Sequence, residues 1–378
     1  MKGDREASAE VVTETTVDEQ IAFESHFGAT GLRLLREVAL QVIVGILSLA
    51  IVALVFYLSG YPVGEIAAGV VEGAITAPGS LATTIRWALA YAVIGAGVIV
   101  AIRAGFFNVG AQGQIYVAAC AAVAVPLLLP AWHPVIVIVM SVASGILSGA
   151  LWALGPGILR VRFGTNEVIT TLMMNFIAIL VLRAVTSGAL RDDQGSAEAS
   201  VTKQISDVFR ISDETGISAL TIGIGVVVLV GTWFLLNRTS FGLLSGLAGR
   251  NPLMARWQGI NVNRIGVASF VISGALAGLV GAIEVLGAGG RLYSGFAPTL
   301  GFTAILVAIA SGFRIAGLVV FALFFGGLQA ALLYLPVITD VPSSSLDIFR
   351  GLVALLITVS PIAIFTVLRR RRLEGVTR

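Results

Sequence analysis

Residues 87–129, WALAYAVIGAGVIVAIRAGFFNVGAQGQIYVAACAAVAVPLLL, hold two long apolar runs separated by a short polar break that is rich in glycine. The apolar residues do not alternate with polar ones, and Arg103 is the one charged residue in the stretch. A helix that crosses a bilayer needs roughly 17 to 25 mostly apolar residues. The stretch therefore predicts two membrane-spanning helices joined by an irregular segment.

The composition of the whole chain also indicates a membrane protein. Of its 378 residues, 57% are hydrophobic and 12% are charged, and the mean hydropathy is +0.97. Soluble domains carry about 25% charged residues. Backbone groups in hydrocarbon must be satisfied internally, and long apolar runs without alternation favour helices over the strands of an outer-membrane barrel. We therefore expect an all-α integral membrane protein.

Ten segments have the hydropathy of spans, and the third, fifth and eighth are short. They are Val38–Leu58, Leu81–Ile102, Ile115–Leu129, Val135–Leu159, Val168–Leu182, Ile217–Leu236, Ile265–Leu286, Pro298–Gly312, Ile315–Leu335 and Gly351–Leu368. Residues 61–80 are interpreted as interfacial or re-entrant. With the amino terminus inside, inner segments hold 17 Lys and Arg residues and outer segments hold 7. Because these residues favour the cytoplasmic side, both termini are expected in the cytoplasm.

The predicted organisation has three parts. Residues 1–37 form a polar cytoplasmic tail with an interfacial helix, residues 38–370 form the transmembrane domain, and residues 371–378 form a basic cytoplasmic tail. Within the transmembrane domain, residues 237–264 form a long cytoplasmic loop.

The sequence offers little for catalysis or for metal binding. It has two histidines, no Ser, His and Asp grouping in a plausible setting, and no GxxxxGK[ST] phosphate loop. The single cysteine, Cys120, excludes an intrachain disulfide and argues against a thiolate metal site. The net charge of +3 follows from the topology. We expect no enzyme activity, bound cofactor, metal or nucleic-acid partner.

The polar break at residues 103–114 must lie partly at membrane depth, because the predicted third span is only about 22 Å long. Irregular backbone is tolerated there when it lines a cavity or is buried in protein, and transporters place substrates near such breaks. Asn108, Gln112 and Gln114 offer uncharged donors and acceptors, and Phe107 offers an aromatic face. These are candidate residues of a substrate pathway. The alternative is that the amides only cap helices and join them.

The stretch GTNEVITTLMMNF, residues 164–176, begins the fifth predicted span. Asn166 and Glu167 fall in the first turn, where a cap and a negative charge stabilise a helix. A gate or a contact to a partner is the alternative for these two residues. Asn175 lies deeper in the span and is a further candidate for the pathway.

Glu284 is the one acid predicted well inside a span. A carboxylate in the bilayer costs at least ~2.5 kcal/mol, so this residue should have a partner or carry a proton. The same segment carries Gly274, Gly278 and Gly281, a spacing of small residues that permits close helix packing. Glu284 is therefore a pathway candidate and the basis of a competing hypothesis, a proton-coupled carrier.

The loop at 237–264 contains signals for a short helix outside the membrane. Asn251 and Pro252 are typical of a cap and a first helical residue, and Gly259 is typical of a helix end. We expect a helix at residues 252–258, with Arg256 among its exposed side chains. It is either an interfacial anchor or a docking helix for a partner.

Three stretches together resemble the permeases of bacterial ABC importers for nucleosides and simple sugars, a group related to ribose and branched-chain amino acid permeases. They are RAGFFNVGAQGQ at 103–114, GTNEVITTLMMNFIA at 164–178 and LAGRNPLMARWQGINVNR at 247–264, and the resemblance extends over residues 38–370. The coupling loop carries over onto Gly249, Arg250, Asn251, Pro252, Ala255, Gly259 and Ile260, and Arg256 is added as a neighbour. The family often has Glu where this chain has Gln112.

The resemblance implies a permease subunit of an importer in the bacterial inner membrane, surrounded by lipid. Its partners would be a cytoplasmic ATP-binding subunit, which uses the ATP, a second permease and an extracellular substrate-binding lipoprotein. Nucleosides are the expected substrates. The alternatives are a simple sugar such as ribose with the same mechanism, or proton-coupled transport through Glu284.

A weak internal repeat is also expected. Residues 287–310 echo the break and short apolar run of residues 103–124, and the two regions would enter the membrane from opposite sides. This indicates an inverted repeat of spans two to five and seven to ten. The outer loop at residues 186–216 is either a receptor-docking surface or a merely solvated loop.

Overall fold

A computed structural model describes residues 60–188, 190–192, 200–212 and 216–339, together with residues 50–51, 53–54, 56–58, 348 and 351–353. The chain forms two compact units, Pro62–Arg350 and a second that joins Met1–Tyr61 with Gly351–Arg378. The elements named below all lie in the first unit.

Eleven α-helices follow one another in the described part of that unit. They are α1 (Val63–Val71), α2 (Ser80–Arg103), α3 (Ala111–Leu128), α4 (Pro134–Phe163), α5 (Glu167–Ser187), α6 (Ala219–Arg238), α7 (Ser240–Arg250), α8 (Pro252–Trp257), α9 (Val262–Glu284), α10 (Leu300–Ala310) and α11 (Ile315–Ile338). Short π-helical turns follow α1 at Glu72–Thr76 and α9 at Val285–Gly289, and a 3₁₀ turn lies at Asp207–Phe209.

Seven of these helices are long and apolar enough to cross a membrane: α2, α3, α4, α5, α6, α9 with its π turn, and α11. The short apolar helix α10 corresponds to the eighth predicted span. The second to ninth predicted spans are therefore present as helices within the described residues. Most of the first and tenth predicted spans, Val38–Leu58 and Gly351–Leu368, lies outside the described residues.

The boundaries predicted for two short spans were wrong. Helix α3 begins at Ala111 rather than Ile115, because the polar residues of the break already form its first turn. Its 18 residues span about 27 Å at 1.5 Å per residue. Helix α5 likewise runs to Ser187, five residues beyond the predicted end.

The helices α2, α3 and α9 form the buried centre of the unit, and α4 packs extensively against α9. Small residues make the α4 and α9 contact possible. A methyl group on Gly149 would overlap the carbonyl of Gly274, and one on Gly278 would overlap the carbonyl of Gly145. The predicted close packing along the glycine face of α9 is thus present, and its partner is a matching glycine pair on α4.

Residues 200–212, part of the loop that the sequence predicts to be outside, cover the segment that follows α9. The backbone N–H of Thr202 donates to Leu292 O at 2.9 Å, and that of Ile205 donates to Gly290 O at 2.7 Å. The side chains of Ile205 and Leu292 are buried. Residues 200–212 therefore lie against residues 286–293 and join them without forming a regular sheet. Helix α6, by contrast, contacts mainly α2 and α7.

Candidate functional site

The break between α2 and α3 reaches the middle of the membrane-spanning unit. The amide nitrogen of Asn108 donates to Ser273 Oγ at 2.9 Å. Ser273 is the central residue of α9, about 16 Å from either end of that helix. Gly105 has φ +84°, which lets the chain turn back after α2. The irregular segment 104–110 therefore reaches the level of the middle of α9, with Asn108 buried and Gly105 exposed.

Two amides in the break bond to each other. Asn108 Nδ2 donates to Gln114 Oε1 at 3.1 Å, and Gln114 Nε2 donates back to Asn108 Oδ1 at 3.1 Å. Asn108 Oδ1 also accepts from Gly110 N at 2.9 Å. Both side chains are buried, which requires that their polar atoms find partners. The pair fixes the loop against the first turn of α3.

Gln112 connects the first break to a second one, between α9 and α10. Its Nε2 donates to Ala297 O at 2.7 Å, and its Oε1 accepts from Gly301 N at 2.7 Å. Ala297 has φ +43°, a left-handed conformation that alanine seldom adopts. The starts of α3 and α10 therefore meet inside the unit, and Gln112 bonds across the meeting point.

Asn175 makes a similar contact from α5. Its Oδ1 accepts from Gly113 N at 2.8 Å, and its Nδ2 donates to Val109 O at 3.0 Å. Gly113 allows this approach, because a Cβ there would lie 2.8 Å from Asn175 Oδ1. The structure thus brings Asn108, Gln112, Gln114 and Asn175 together around one break. In this conformation each of the four amides bonds to protein groups.

The aromatic residues of the break differ in exposure. Phe106 is buried and meets Phe270 edge to face, with ring centroids 6.0 Å apart. Phe107 is half-buried, so part of its ring is accessible. Of the two, Phe107 is the one that can present an aromatic face to a solute.

Glu284 lies apart from the break, within the segment Val262–Gly289 that is long and apolar enough to span a membrane. It is the last residue of α9, about 16 Å along the helix from Ser273. Its carboxylate accepts from Arg86 Nη2 at 2.7 Å and from Arg86 Nε at 3.4 Å. The expected partner of the acid is therefore Arg86 of α2, which sequence reasoning had counted only as a topological charge. The sequence does single out Arg86, because it is the only basic residue within the predicted span 81–102.

The ion pair borders a small open cleft between α2, α6 and α9. Its walls are largely apolar and include Leu89, Val93 and Ile283. Glu284 is 5% exposed and Arg86 is 21% exposed. Both charges are thus largely removed from solvent and depend on each other for compensation.

The short helix predicted at 252–258 is present as α8. Asn251 Oδ1 accepts from Met254 N at 3.0 Å, and Gly259 has φ +77° just after the helix end. Leu253, Met254 and Trp257 are exposed, the last to 81%, whereas Ala255 is buried against Ala248 and Val262. Arg250, Asn251, Pro252, Arg256 and Gly259 are exposed as well. Helix α8 therefore presents an apolar and basic surface.

Helix α7 was not predicted, and it ties α8 to the break. Gly249, near its end, lies so close to the end of α2 that a methyl group would overlap Arg103 O. Gly105 faces it, because a Cβ on Gly105 would lie 3.0 Å from Gly249 Cα. The glycine content of residues 240–250 obscured the helix, although Thr239 caps it through Gly242 N at 3.4 Å. Because Gly249 and Gly105 are in contact, a displacement of α7 and α8 would also displace the start of the break at Gly105.

Asn166 is the N-cap of α5. Its Oδ1 accepts from Val168 N at 2.9 Å and from Ile169 N at 3.4 Å. Glu167 forms an ion pair with Arg160 at 3.1 Å, which joins the start of α5 to the end of α4. Over the residues that the structure describes, no group of three or more His, Cys, Asp or Glu side chains could hold a metal ion.

Comparison with known proteins gives consistent matches. The family described as "Branched-chain amino acid transport system / permease component" matches residues 80–359. The guanosine ABC transporter permease protein NupP of Bacillus subtilis is 34% identical over 324 residues, which is 83% of this chain and 91% of that protein.

Two further relatives differ in their named substrates. The glucose ABC transporter permease protein TsgB13 of Haloferax volcanii is 30% identical over 70% of this chain and 72% of its own length. The nucleoside ABC transporter permease protein NupB of Lactococcus lactis is 31% identical over 61% of this chain and 66% of its own length.

Proposed function

The chain belongs to the family of branched-chain amino acid transport system permease components, and on that premise we propose that it is the membrane subunit of an ATP-driven importer of nucleosides. It is a multi-pass membrane protein and a transport subunit, and the ATP of such an importer is used by an ATPase partner. The observation that carries the nucleoside assignment is the 34% identity to a guanosine permease over 91% of that protein.

The proposed pathway runs beside the break between α2 and α3. Asn108, Gln112, Gln114 and Asn175 would border it, because they place uncharged donors and acceptors at mid-depth in a buried setting. Phe107 would supply an aromatic face to a base or a sugar. No acid or base is among these residues, which suits a neutral solute rich in hydroxyl and amide groups. A simple sugar is the second candidate, since a glucose permease is 30% identical over 70% of the chain.

The proposed contact with the ATPase is the coupling surface, which comprises Gly249, Arg250, Asn251, Pro252, Ala255, Arg256 and Gly259. Its support is the exposure of α8, with Trp257 81% exposed beside two arginines. Ala255 would hold the helix to the unit from beneath, while Gly249 would transmit its movement to Gly105. Asn166 and Glu167 would serve as a cap and as part of a gate at the same side of the membrane.

The remaining proposals concern assembly and topology. We place the chain in the bacterial plasma membrane, within lipid, with both termini and residues 237–264 in the cytoplasm, a second permease beside it and a substrate-binding lipoprotein outside. Ten spans are proposed, the first and tenth from residues 38–58 and 351–368. An inverted repeat is supported by the two breaks, which bring the starts of α3 and α10 together through Gln112. The domain limits 1–37, 38–370 and 371–378 are proposed as well.

The experiment that tests the function is uptake into proteoliposomes. The chain is reconstituted with the permease, ATPase and binding protein encoded beside it, and labelled guanosine, ribose and glucose are offered with and without ATP. ATP-dependent uptake of guanosine is expected. ATP-dependent uptake of a sugar alone would show that the substrates are sugars rather than nucleosides. Accumulation driven by a pH gradient without ATP would show that the chain is a proton-coupled carrier.

A variant of the coupling surface provides the matched control. Pro252→Ala combined with Arg256→Glu should leave membrane insertion intact and abolish ATP-dependent uptake, since both residues are exposed and neither supports the core. Unchanged uptake in this variant would refute the assignment of α8 to the ATPase.

A further inference from the structure

Two side-chain amides occupy the place of a backbone hydrogen bond at the starts of α3 and α10. In a continuous helix the N–H of residue i+4 donates to the carbonyl of residue i. At the start of α3, Gly113 N and Val109 O instead both bond to Asn175. At the start of α10, Gly301 N and Ala297 O both bond to Gln112. Each amide therefore bridges a carbonyl and an N–H four residues apart.

The two bridges have the same chemistry although they come from different helices. In both, the amide nitrogen donates to the carbonyl and the amide oxygen accepts from the N–H, at distances of 2.7 to 3.0 Å. In both, the N–H that donates to the amide oxygen belongs to a glycine. A Cβ at Gly301 would lie 2.5 Å from Gln112 N, and one at Gly113 would lie 2.8 Å from Asn175 Oδ1. The close approach thus requires glycine at each bridge.

Neither helix has a side-chain cap of its own. Gly110 precedes α3 and has no side chain to offer, and Thr299 precedes α10 without a side-chain hydrogen bond. Helices α5, α7 and α8, by contrast, are capped by the residue just before them. A helix that starts away from water leaves its first N–H groups unsatisfied unless the protein supplies an acceptor. The amides of Asn175 and Gln112 supply it from a distance.

We propose that Gln112 and Asn175 are positioning residues for transport, each acting as a neutral clamp that fixes where a helix begins inside the membrane. This proposal rests on the proposed transport function. Through Gln112 the clamp also holds the two breaks together, and through Asn175 it holds α3 to α5. The clamps thereby fix the positions of the first turns of α3 and α10 beside the proposed pathway. Loss of a clamp would let the corresponding first turn shift.

Neutrality is the property that makes the proposal testable. An amide both donates and accepts, whereas an ionised carboxylate only accepts. An ionised acid at either position would face a carbonyl oxygen without donating to it, and Ala297 O would keep only the long hydrogen bond of 3.4 Å from Leu300 N. A protonated acid could make both bonds. Gln112→Glu and Asn175→Asp should therefore work while they hold a proton and fail once they lose it, whereas Gln112→Met and Asn175→Leu should fail at every pH.

The first measurement is the midpoint of thermal unfolding in detergent between about pH 6 and pH 8.5. The folded protein retains the proton of the introduced acid better than the unfolded chain does, since only the protonated acid can donate to the carbonyl. The stability of the acid variants must then fall as pH rises. The difference between their unfolding midpoint and that of wild type should therefore widen by roughly 5 °C over this pH range. The gap should stay constant in the Met and Leu variants.

Asn237→Asp is the matched control for this measurement. Asn237 is an exposed amide that donates to Trp233 O at 2.9 Å at the end of α6. An exposed acid titrates near its ordinary pKa of about 3.9, below the pH range used, so its gap to wild type should not change. Widening gaps in Gln112→Glu and Asn175→Asp alone would support the clamps. Gaps independent of pH in both would overturn the proposal.

The second measurement separates a positioning role from a merely structural one. ATP-dependent uptake is compared per amount of folded complex, and Gln112→Glu should lose roughly tenfold relative to wild type between about pH 6 and pH 8.5, while Gln112→Met stays low throughout. Uptake by Gln112→Glu that falls no more than wild type would refute the role in transport. If the wild-type complex carries neither nucleoside nor sugar, the proposed function fails. The unfolding midpoints would still show whether Gln112 and Asn175 act as clamps.

A third measurement covers variants that fold poorly. After correction for the change in wild type, hydrogen exchange of the peptide that contains Gly301 should be faster in Gln112→Glu at about pH 8.5 than at about pH 6, because repulsion between the carboxylate and Ala297 O displaces the side chain that accepts from Gly301 N. Equal protection at both values would count against the clamp.

Discussion

Replacing Glu284 with Gln should destabilise the folded chain by about 3 kcal/mol, because Arg86 would keep its charge in a largely apolar cleft. Breaking a buried ion pair by removing one partner costs about 3–5 kcal/mol. The lower end applies here, since Arg86 is 21% exposed and water can reach part of its guanidinium. The carboxylate accepts two hydrogen bonds from Arg86, at 2.7 and 3.4 Å, and an amide can replace only part of that interaction.

The assay is a double-mutant cycle read by thermal unfolding in detergent. It compares wild type, Glu284→Gln, Arg86→Gln and the double variant. Each single change should lower the unfolding midpoint by roughly 4–8 °C. The double variant should lose clearly less than the sum, since neither charge is then left unpaired. Asp207→Asn is the control: Asp207 is 89% exposed in its ion pair with Arg210, so its loss should cost under about 1 kcal/mol.

Additive losses around the cycle would refute the reasoning, because they would mean that the two charges stabilise the fold independently. The same variants also separate two mechanisms of transport. In an ATP-driven importer, the double variant should retain ATP-dependent uptake once corrected for folded protein. A proton-coupled carrier that uses Glu284 would lose all accumulation in Glu284→Gln, whatever its stability.

Three further predictions follow from single contacts. Gly278→Leu should prevent α4 and α9 from packing, because even a methyl group overlaps Gly145 O, and gel filtration should show little monodisperse protein; a normal profile would contradict this. Asn166→Ala should cost about 1 kcal/mol by removing the cap of α5, seen as a midpoint lower by a few degrees, and an unchanged midpoint would argue against the cap. Trp257→Ala should leave the midpoint unchanged and lower substrate-stimulated ATPase activity several-fold, and normal stimulation would show that Trp257, which lies beside the coupling surface, takes no part in the contact with the ATPase.

The sequence predicts the helices well, because membrane spans are local features. A run of apolar residues is forced into a helix wherever water is absent, so the second to ninth predicted spans appear as helices in the described part of the chain. The short helix α8 was also predictable, since Asn251, Pro252 and Gly259 act on their own neighbours. The boundaries of α3 failed for a related reason. Gln112 and Gln114 are polar, and polarity is a poor guide to helix ends once side chains are satisfied by distant partners.

The contacts between side chains of the site could not be predicted from local sequence patterns. Arg86 and Glu284 are 198 residues apart in the chain, and Gln112 and Gly301 are 189 residues apart. Composition can require that a buried acid has a partner, but it cannot select that partner among several basic residues. Similarly, it can indicate that the amides of the break are satisfied, but not which carbonyls and N–H groups satisfy them. These choices are made by the packing of α2, α3, α9 and α10.

The physical demands of the membrane account for much of the chemistry at the breaks, whatever the solute. A helix that starts at mid-depth must have its first N–H groups satisfied, and a carboxylate there would add the cost of a charge. An amide beside a glycine meets both conditions, because it donates and accepts without charge and the glycine admits it. On this proposal Gln112 and Asn175 serve the fold of the breaks, so their amides do not by themselves identify the substrate. Selectivity between a nucleoside and a sugar must then depend on side chains that the clamps leave accessible, of which Phe107 is the first to test. Phe107→Leu should weaken uptake of guanosine more than uptake of a sugar that is also carried, because a planar base gains most from stacking. Equal losses for both solutes would show that Phe107 only supports the break.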